Sequence, residues 1–353
     1  MTIKERILAA ARKQKTDKIP WMAYTLLLPR GEVERQIRNK GCGLYVLGIT
    51  YQVEMRNVSV EEEITWDSLN RTRYITRIYH TPAGDVSEKL CFPLYVSANK
   101  QQWIMEHMIK DVKDYQAVKY IVENTSYFPD YEYFIEQKQD IGEDGIVVAR
   151  APKSPLQEMA YHYMGVEKFF FEMQDHPCEW HELASGIESK CDEIFQIIAD
   201  SPAELVHSGE NLTGEIANPV LFKKYYFPFH NRIARLLHDK GKIYAAHMDG
   251  RLNCLKHLIK ETDIDIIESF TFPEGGGDLS FEEARKLWKS KGIWANFPAS
   301  LCHAGEERIK KFLTDILKNI EPQDGFLLEY SEDFPIANWQ ETLSIIADVM
   351  DSF

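Results

Sequence analysis

The chain has 353 residues and a formal net charge of -14, with 44% apolar and 27% charged residues, the make-up of an ordinary globular protein. So acidic a surface excludes nucleic acid and anionic membrane as main partners, since both repel it, and leaves a small molecule or another protein. No apolar run reaches the ~18 residues of a membrane span. Met1 to Ala11 interleaves charges where a signal peptide would be unbroken. Cys42, Cys91, Cys178, Cys191, Cys254 and Cys302 are scattered without a CxxC pair, which leads us to expect reduced thiols in a cytoplasmic protein.

In chain order, helical spacing runs from about Thr2 to Lys13, followed by the polar turn Thr16-Asp17-Lys18. Ile19 to Thr25 predicts a first buried strand, with Pro20 near its start, where a missing N–H costs least. A helix over Arg30 to Asn39 is stopped by Gly41 and Gly43, and Gly43 to Ile49 is the second apolar run. Arg73–His80 and Val86–Phe92 flank Thr81-Pro82-Ala83-Gly84-Asp85, a hairpin signature. Residues 100–140 are expected to be mostly helical.

From Gly145 strand and helix alternate regularly. Apolar runs at Ile146–Arg150, Ala203–His207, Ile243–Ala246, Ile264–Glu268, Ile293–Asn296 and Phe326–Glu329 are each followed by a helix-length segment. With the two earlier runs this predicts an α/β fold, a (β/α)8 TIM barrel formed as a single domain over residues 1–353. It has an N-terminal helix and a β-hairpin/helical insertion at about 57–140, after the second strand. A doubly wound nucleotide-binding sheet would carry a Gly-rich loop after its first strand, and Pro29-Arg30-Gly31-Glu32 is not one.

In a barrel the loops after the strands share one face, so residues distant in sequence meet at one mouth. The strand ends offer Tyr24, Tyr51, Arg150 with Pro152, Glu210 with Asn211, His247 with Asp249, Glu268 with Phe270, Asn296 with Phe297, and Glu329 to Asp333. His247 and Asp249 stand two apart and project together, and Gly250 lets the chain swing away. They are a candidate half-site for a metal. Glu210 and Glu332 are candidate further ligands, and the alternative for each acid is capping the next helix. Cys302-His303 is expected to cap or pack. His207, Cys254 and His257 have no partner at metal spacing and are expected in core or surface roles.

Ala151-Pro152-Lys153-Ser154-Pro155-Leu156, His247-Met248-Asp249-Gly250, Trp294-Ala295-Asn296-Phe297 and a last loop bounded by Pro335 resemble the uroporphyrinogen decarboxylase superfamily, and within it the corrinoid-dependent methyltransferases. The resemblance extends over nearly the whole chain. The decarboxylases need an arginine-rich N-terminal segment, which Leu26-Leu27-Leu28-Pro29-Arg30-Gly31-Glu32 does not match. Thiol methyltransferases carry His-x-Cys-Gly and a second cysteine on zinc. Here Asp249 stands at the first cysteine, and Ser331, Glu332 and Asp333 fill the last loop.

A His with carboxylates leaves more positive charge on a metal than two thiolates do, making it a better Lewis acid towards oxygen. The resemblance therefore implies an O-demethylase methyltransferase that passes the methyl of an aryl methyl ether to cobalamin on a separate corrinoid protein. Zinc would be held by His247, Asp249, Glu210 and Glu332, with His247, Asp249 and Glu210 catalytic. Trp21, Tyr24, Phe270, Phe272, Trp294, Asn296 and Phe297 are candidate walls for the aromatic substrate, each also readable as core. A thiol or amine methyltransferase and a non-catalytic corrinoid-binding protein are the other readings.

Overall fold

A computed structural model describes residues 1–93, 102–320 and 325–353. Thr2 opens helix α1 (Ile3–Ala11) with a capping box: its Oγ1 accepts from Glu5 N at 3.2 Å, and its own N–H donates to Glu5 Oε2 at 2.9 Å. Then come β1 (Trp21–Tyr24), α2 (Glu32–Asn39) and β2 (Cys42–Gly48). The chain next makes β3 (Tyr51–Met55), β4 (Ser59–Asp67), β5 (Thr72–Thr81), β6 (Gly84–Pro93), β7 (Trp103–Glu106), α3 (Asp114–Glu123), β8 (Thr125–Pro129) and α4 (Glu132–Ile141). Alternation with helices then supplies β9 (Gly145–Ala151), β10 (Leu205–Ser208), β11 (Ile243–His247), β12 (Ile266–Thr271), β13 (Gly292–Asn296) and β14 (Phe326–Tyr330).

Eight strands pair in parallel and close in the order β1-β14-β13-β12-β11-β10-β9-β2. This is the (β/α)8 barrel expected. Its strands are buried almost throughout, because helices cover the outside and side chains fill the inside. Backbones approach so closely at the start of β9 that a Cβ on Gly145 would lie 2.0 Å from Leu44 O.

Between β2 and β9, β3 pairs antiparallel with β8, and β4-β5-β6-β7 form a second antiparallel sheet. The expected hairpin is β5–β6, in register from Thr72↔Pro93 to Thr81↔Gly84. The stretch expected to be helical contains α3 and α4 but also β7 and β8, and residues 100 and 101 lie outside the described residues. Thr125-Ser126-Tyr127-Phe128 is rich in β-branched and aromatic residues and finds a partner in β3. Among the described residues no helix is long and apolar enough to cross a membrane.

At the end of the barrel where strands begin, two lysines are buried. Lys242 Nζ donates to Ser201 O and Ala203 O, both at 2.6 Å. Lys291 Nζ donates to Thr262 O at 2.6 Å and Ile264 O at 2.8 Å.

Candidate active site

At the other end, the loops after the strands surround a cavity of about 870 Å³ whose floor includes His207, His247 and Asp249. Parallel pairing sets His247 directly beside Glu268, and His207 beside Ala245. A bulge in β12 follows Glu268: the register shifts between Ile267 and Phe270, and Ser269 takes a left-handed φ of 60°. A non-glycine residue holds that conformation only where its surroundings enforce it. Here Ser269 N donates to Glu329 Oε2 at 3.0 Å, and its hydroxyl bonds that of Ser331 at 2.9 Å.

The bulge aims Glu268 inward, where it is fully buried. Its Oε1 accepts from Tyr24 OH, and its Oε2 lies 2.5 Å from His247 Nδ1 and 3.7 Å from His207 Nδ1. Tyr45 OH bonds His207 Nδ1 at 2.9 Å, and Tyr24 and Tyr45 stack with ring centres 4.8 Å apart. His247 Nε2 faces the cavity, 3.5 Å from Asp249 Oδ2. Gly250 then lets the chain pass the preceding loop, for a Cβ there would sit 2.3 Å from Thr213 Cβ.

Charge follows from these contacts. Burial opposes a charged His247, but Glu268 and Asp249 outweigh it and raise its pKa to about 10. Burial pushes Glu268 up, and His247 and His207 more than reverse this, holding it at about 2. Burial lowers His207 to about 4, so it is neutral. Burial and the facing Glu268 carboxylate hold Glu329 well above the usual carboxylate range. The two carboxyls are therefore driven apart, Glu268 towards its charged form and Glu329 towards its neutral one.

His207, His247 and Glu268 can hold a metal ion: their ligand atoms lie within 4.8 Å of one another, the one such group among the described residues. Two imidazoles and a carboxylate are a donor set compatible with zinc. Only His247 is shared with the ligand set expected from sequence. Asp249 adjoins it, and Glu332 lines the same cavity, its pKa raised by burial, with Ala299 N donating to Oε2 at 3.1 Å. Glu210 is fully buried and engaged elsewhere: Ser154 N and Ser208 Oγ donate to Oε1, both at 2.7 Å, and Ser154 Oγ to Oε2 at 2.6 Å. It ties the loop after β9 to the loop after β10.

Of the expected aromatic walls, Tyr24 lines the cavity. Trp21 sits at the start of β1, its indole N–H 3.5 Å from Lys40 O. Trp294 is buried with its ring edge-on to Tyr45. Phe270 and Phe272 pack with Phe281, and Phe297 with Phe312 and Phe334. Asn296 Oδ1 accepts from Ser331 N at 3.4 Å, which steadies the last loop. The aromatic walls are instead Tyr24, Tyr51, Tyr127 and Tyr163, the last brought in by a π-helical turn at Met159–Tyr163. Lys153 is also on the wall; its Nζ donates to Gly209 O and to Asn211 Oδ1, and burial lowers its pKa.

Sequence reasoning left out His207 as a ligand and Lys153. Each stands at or just beyond a barrel strand end, a signal that becomes usable once the register of neighbouring strands is known.

No curated protein matches the chain. A crystal structure of dispersin B is similar at 12% identity with a TM-score of 0.33, over 62% of this chain and 76% of that one. The family model for uroporphyrinogen decarboxylase (URO-D) matches residues 99–352, from the insertion through the last barrel helix. The chain therefore belongs to the uroporphyrinogen decarboxylase family, whose members are enzymes.

Proposed function

We propose that this protein is a zinc-dependent methyltransferase that removes the methyl group of an aryl methyl ether and passes it to the cob(I)alamin of a separate corrinoid protein docked over the barrel mouth. The observation that carries the reading is His247, held between Glu268 and Asp249 at the floor of a cavity walled by tyrosines. The donor chemistry fits the metal. Glu268 fixes Nδ1 of His247 and so turns Nε2 to the cavity, the usual support of a ligating imidazole. His207 is already neutral, as a ligand must be, and His247 would give up its proton when the metal binds. Zinc would supply a Lewis acid to the ether oxygen, and the reduced corrinoid the nucleophile for the methyl carbon.

The chain's own residues bind and orient. Tyr24 OH steadies Glu268, which steadies His247. Asp249 and Glu332 add negative charge beside His247 without the electron donation of a thiolate. The tyrosine faces hold a planar ring, and positioning of the ether carbon is the protein's main contribution to rate. Lys153 Nζ, on the same wall, is a proton source for the departing phenolate.

The test is metal analysis of the purified protein combined with a panel of methoxylated aromatics and reduced corrinoid. Bound zinc and a phenol product are expected. Zinc-free protein, or methyl transfer only to thiols, would overturn the assignment.

A further inference from the structure

In a chain with 55 acidic and 41 basic residues, cations are usually paired. Arg6, Arg38, Arg77 and Arg232 all bind carboxylates. Arg150 is different. It lines the cavity, is exposed to it, and makes no hydrogen bond or ion pair to any described residue.

Its direction follows from register. Arg150 on β9 is the cross-strand partner of His207 on β10, so both side chains leave the barrel on the same side, towards the mouth. Two other cations share the wall but are engaged: Lys153 with Gly209 O and Asn211 Oδ1, and Lys190 with Glu193 at 3.2 Å. The nearby acid Glu158 accepts from Lys153 N at 3.0 Å and faces His162 at 3.6 Å, so it is not bound to Arg150.

From these observations we infer that Arg150 anchors a carboxylate on the substrate, making the preferred ligand a methoxylated aromatic acid rather than a neutral ether. A guanidinium offers two parallel N–H donors that match a carboxylate, and an unpaired one in a half-enclosed cavity has the most to gain from such a partner. The spacing fits. β9 and β11 are separated by one strand and His247 lies two residues beyond the position level with Arg150, so the two start about 12 Å apart, a distance that a ring with substituents at opposite ends bridges once the arginine bends inward. Tyr51, whose hydroxyl feels the Arg150 charge, packs edge-on to Tyr127 at 5.5 Å and borders the path between the two ends.

The ring and its methoxy group rest on the aryl-ether reading; the preference for an anion does not. Calorimetry of the purified full-length protein, without corrinoid, would compare 4-methoxybenzoate with 4-methoxybenzamide. The acid should bind roughly tenfold or more tightly than the amide, as expected for a charge-assisted hydrogen bond. Arg150→Met should bring the acid down to the amide and leave the amide unchanged, and Arg150→Lys should keep part of the preference. Because Arg150 is exposed and unpaired, thermal melts of the variants should match that of the parent. Equal binding of the two ligands, binding of neither, or an undiminished preference in Arg150→Met would overturn the subsite. Anion preference with no phenol formed on adding reduced corrinoid leaves the subsite standing and removes the reaction; equal demethylation of both ligands with no preference does the opposite.

Discussion

The two ends of the barrel bury charge in opposite ways. Where the strands begin, Lys242 and Lys291 are desolvated but held, each by two backbone carbonyls from the loop leading to the neighbouring strand. Where the strands end, Glu268, Glu329, His207 and His247 crowd together, with one carboxyl's pKa pushed well up and a left-handed serine between them. At the first end the protein satisfies its own charges with fixed dipoles, which stabilises one structure. At the second it leaves an imidazole nitrogen and carboxylate oxygens facing a cavity, which suits a ligand more than the apo fold. Barrels as a class divide stability and function between these faces.

The largest expected effect separates the two ends outright. His247→Ala should reduce zinc from about one per chain to almost none while the protein stays folded, because only carboxylates and His207 remain. Elemental analysis of the monodisperse variant reads this, and full zinc occupancy would remove His247 from the site. Glu268→Gln should weaken zinc by at least about 10–100-fold, since a carboxylate of the donor set and the partner that orients His247 are lost together. Competition with a metal chelator measures the loss.

At the strand-start end the pattern should invert. Lys291→Met should leave zinc unchanged and cost about 1–3 kcal/mol of stability, because two carbonyls lose their donor. The sign of its pH dependence follows from burial, which lowers Lys291 to about 8 in the folded chain against about 10.4 unfolded. Between these values the unfolded state binds more protons, so the lysine's contribution to stability grows as pH rises from 8 towards 10.4, by up to about 3 kcal/mol. The deficit of the methionine variant should therefore widen over that window. Urea melts at pH 7.5 and 9.5 giving the same difference would show that Lys291 does not titrate there.

The fold is legible in the sequence where a strand is buried on both faces along most of its length. Ile146–Arg150 is observed as Gly145–Ala151, and Ile243–Ala246 as Ile243–His247. It is hardest to read at sheet edges: β4 carries Glu61, Glu62 and Glu63 in succession, is exposed along nearly its whole length, and so shows no clean alternation. The pairing of β3 with β8 joins residues too far apart for any local signal.

The candidate site divides along similar lines. His247 and Asp249 are recognisable because a two-residue spacing is a local property. The contact of His247 with Glu268 depends on the register of two strands, and the outward packing of Phe270 depends on the bulge at Ser269, which resets the alternation that would have turned it inward. Glu210 shows the third limit: a carboxylate at a strand end looks the same in sequence whether it faces a ligand or is enclosed by Ser154 and Ser208.

The central claim, that the open end of the barrel holds a metal acting as a Lewis acid on an ether oxygen, is tested most directly with Asp249→Cys. Single-turnover demethylation by the zinc-loaded parent and variant would be followed across methoxyarenes whose phenols differ in acidity. The variant should keep zinc and react more slowly, with the deficit growing as the leaving phenol becomes less acidic, because a thiolate placed beside His247 Nε2 would join the metal and donate more charge to it. A zinc-bound variant that matches the parent on the poorest leaving groups would contradict the account.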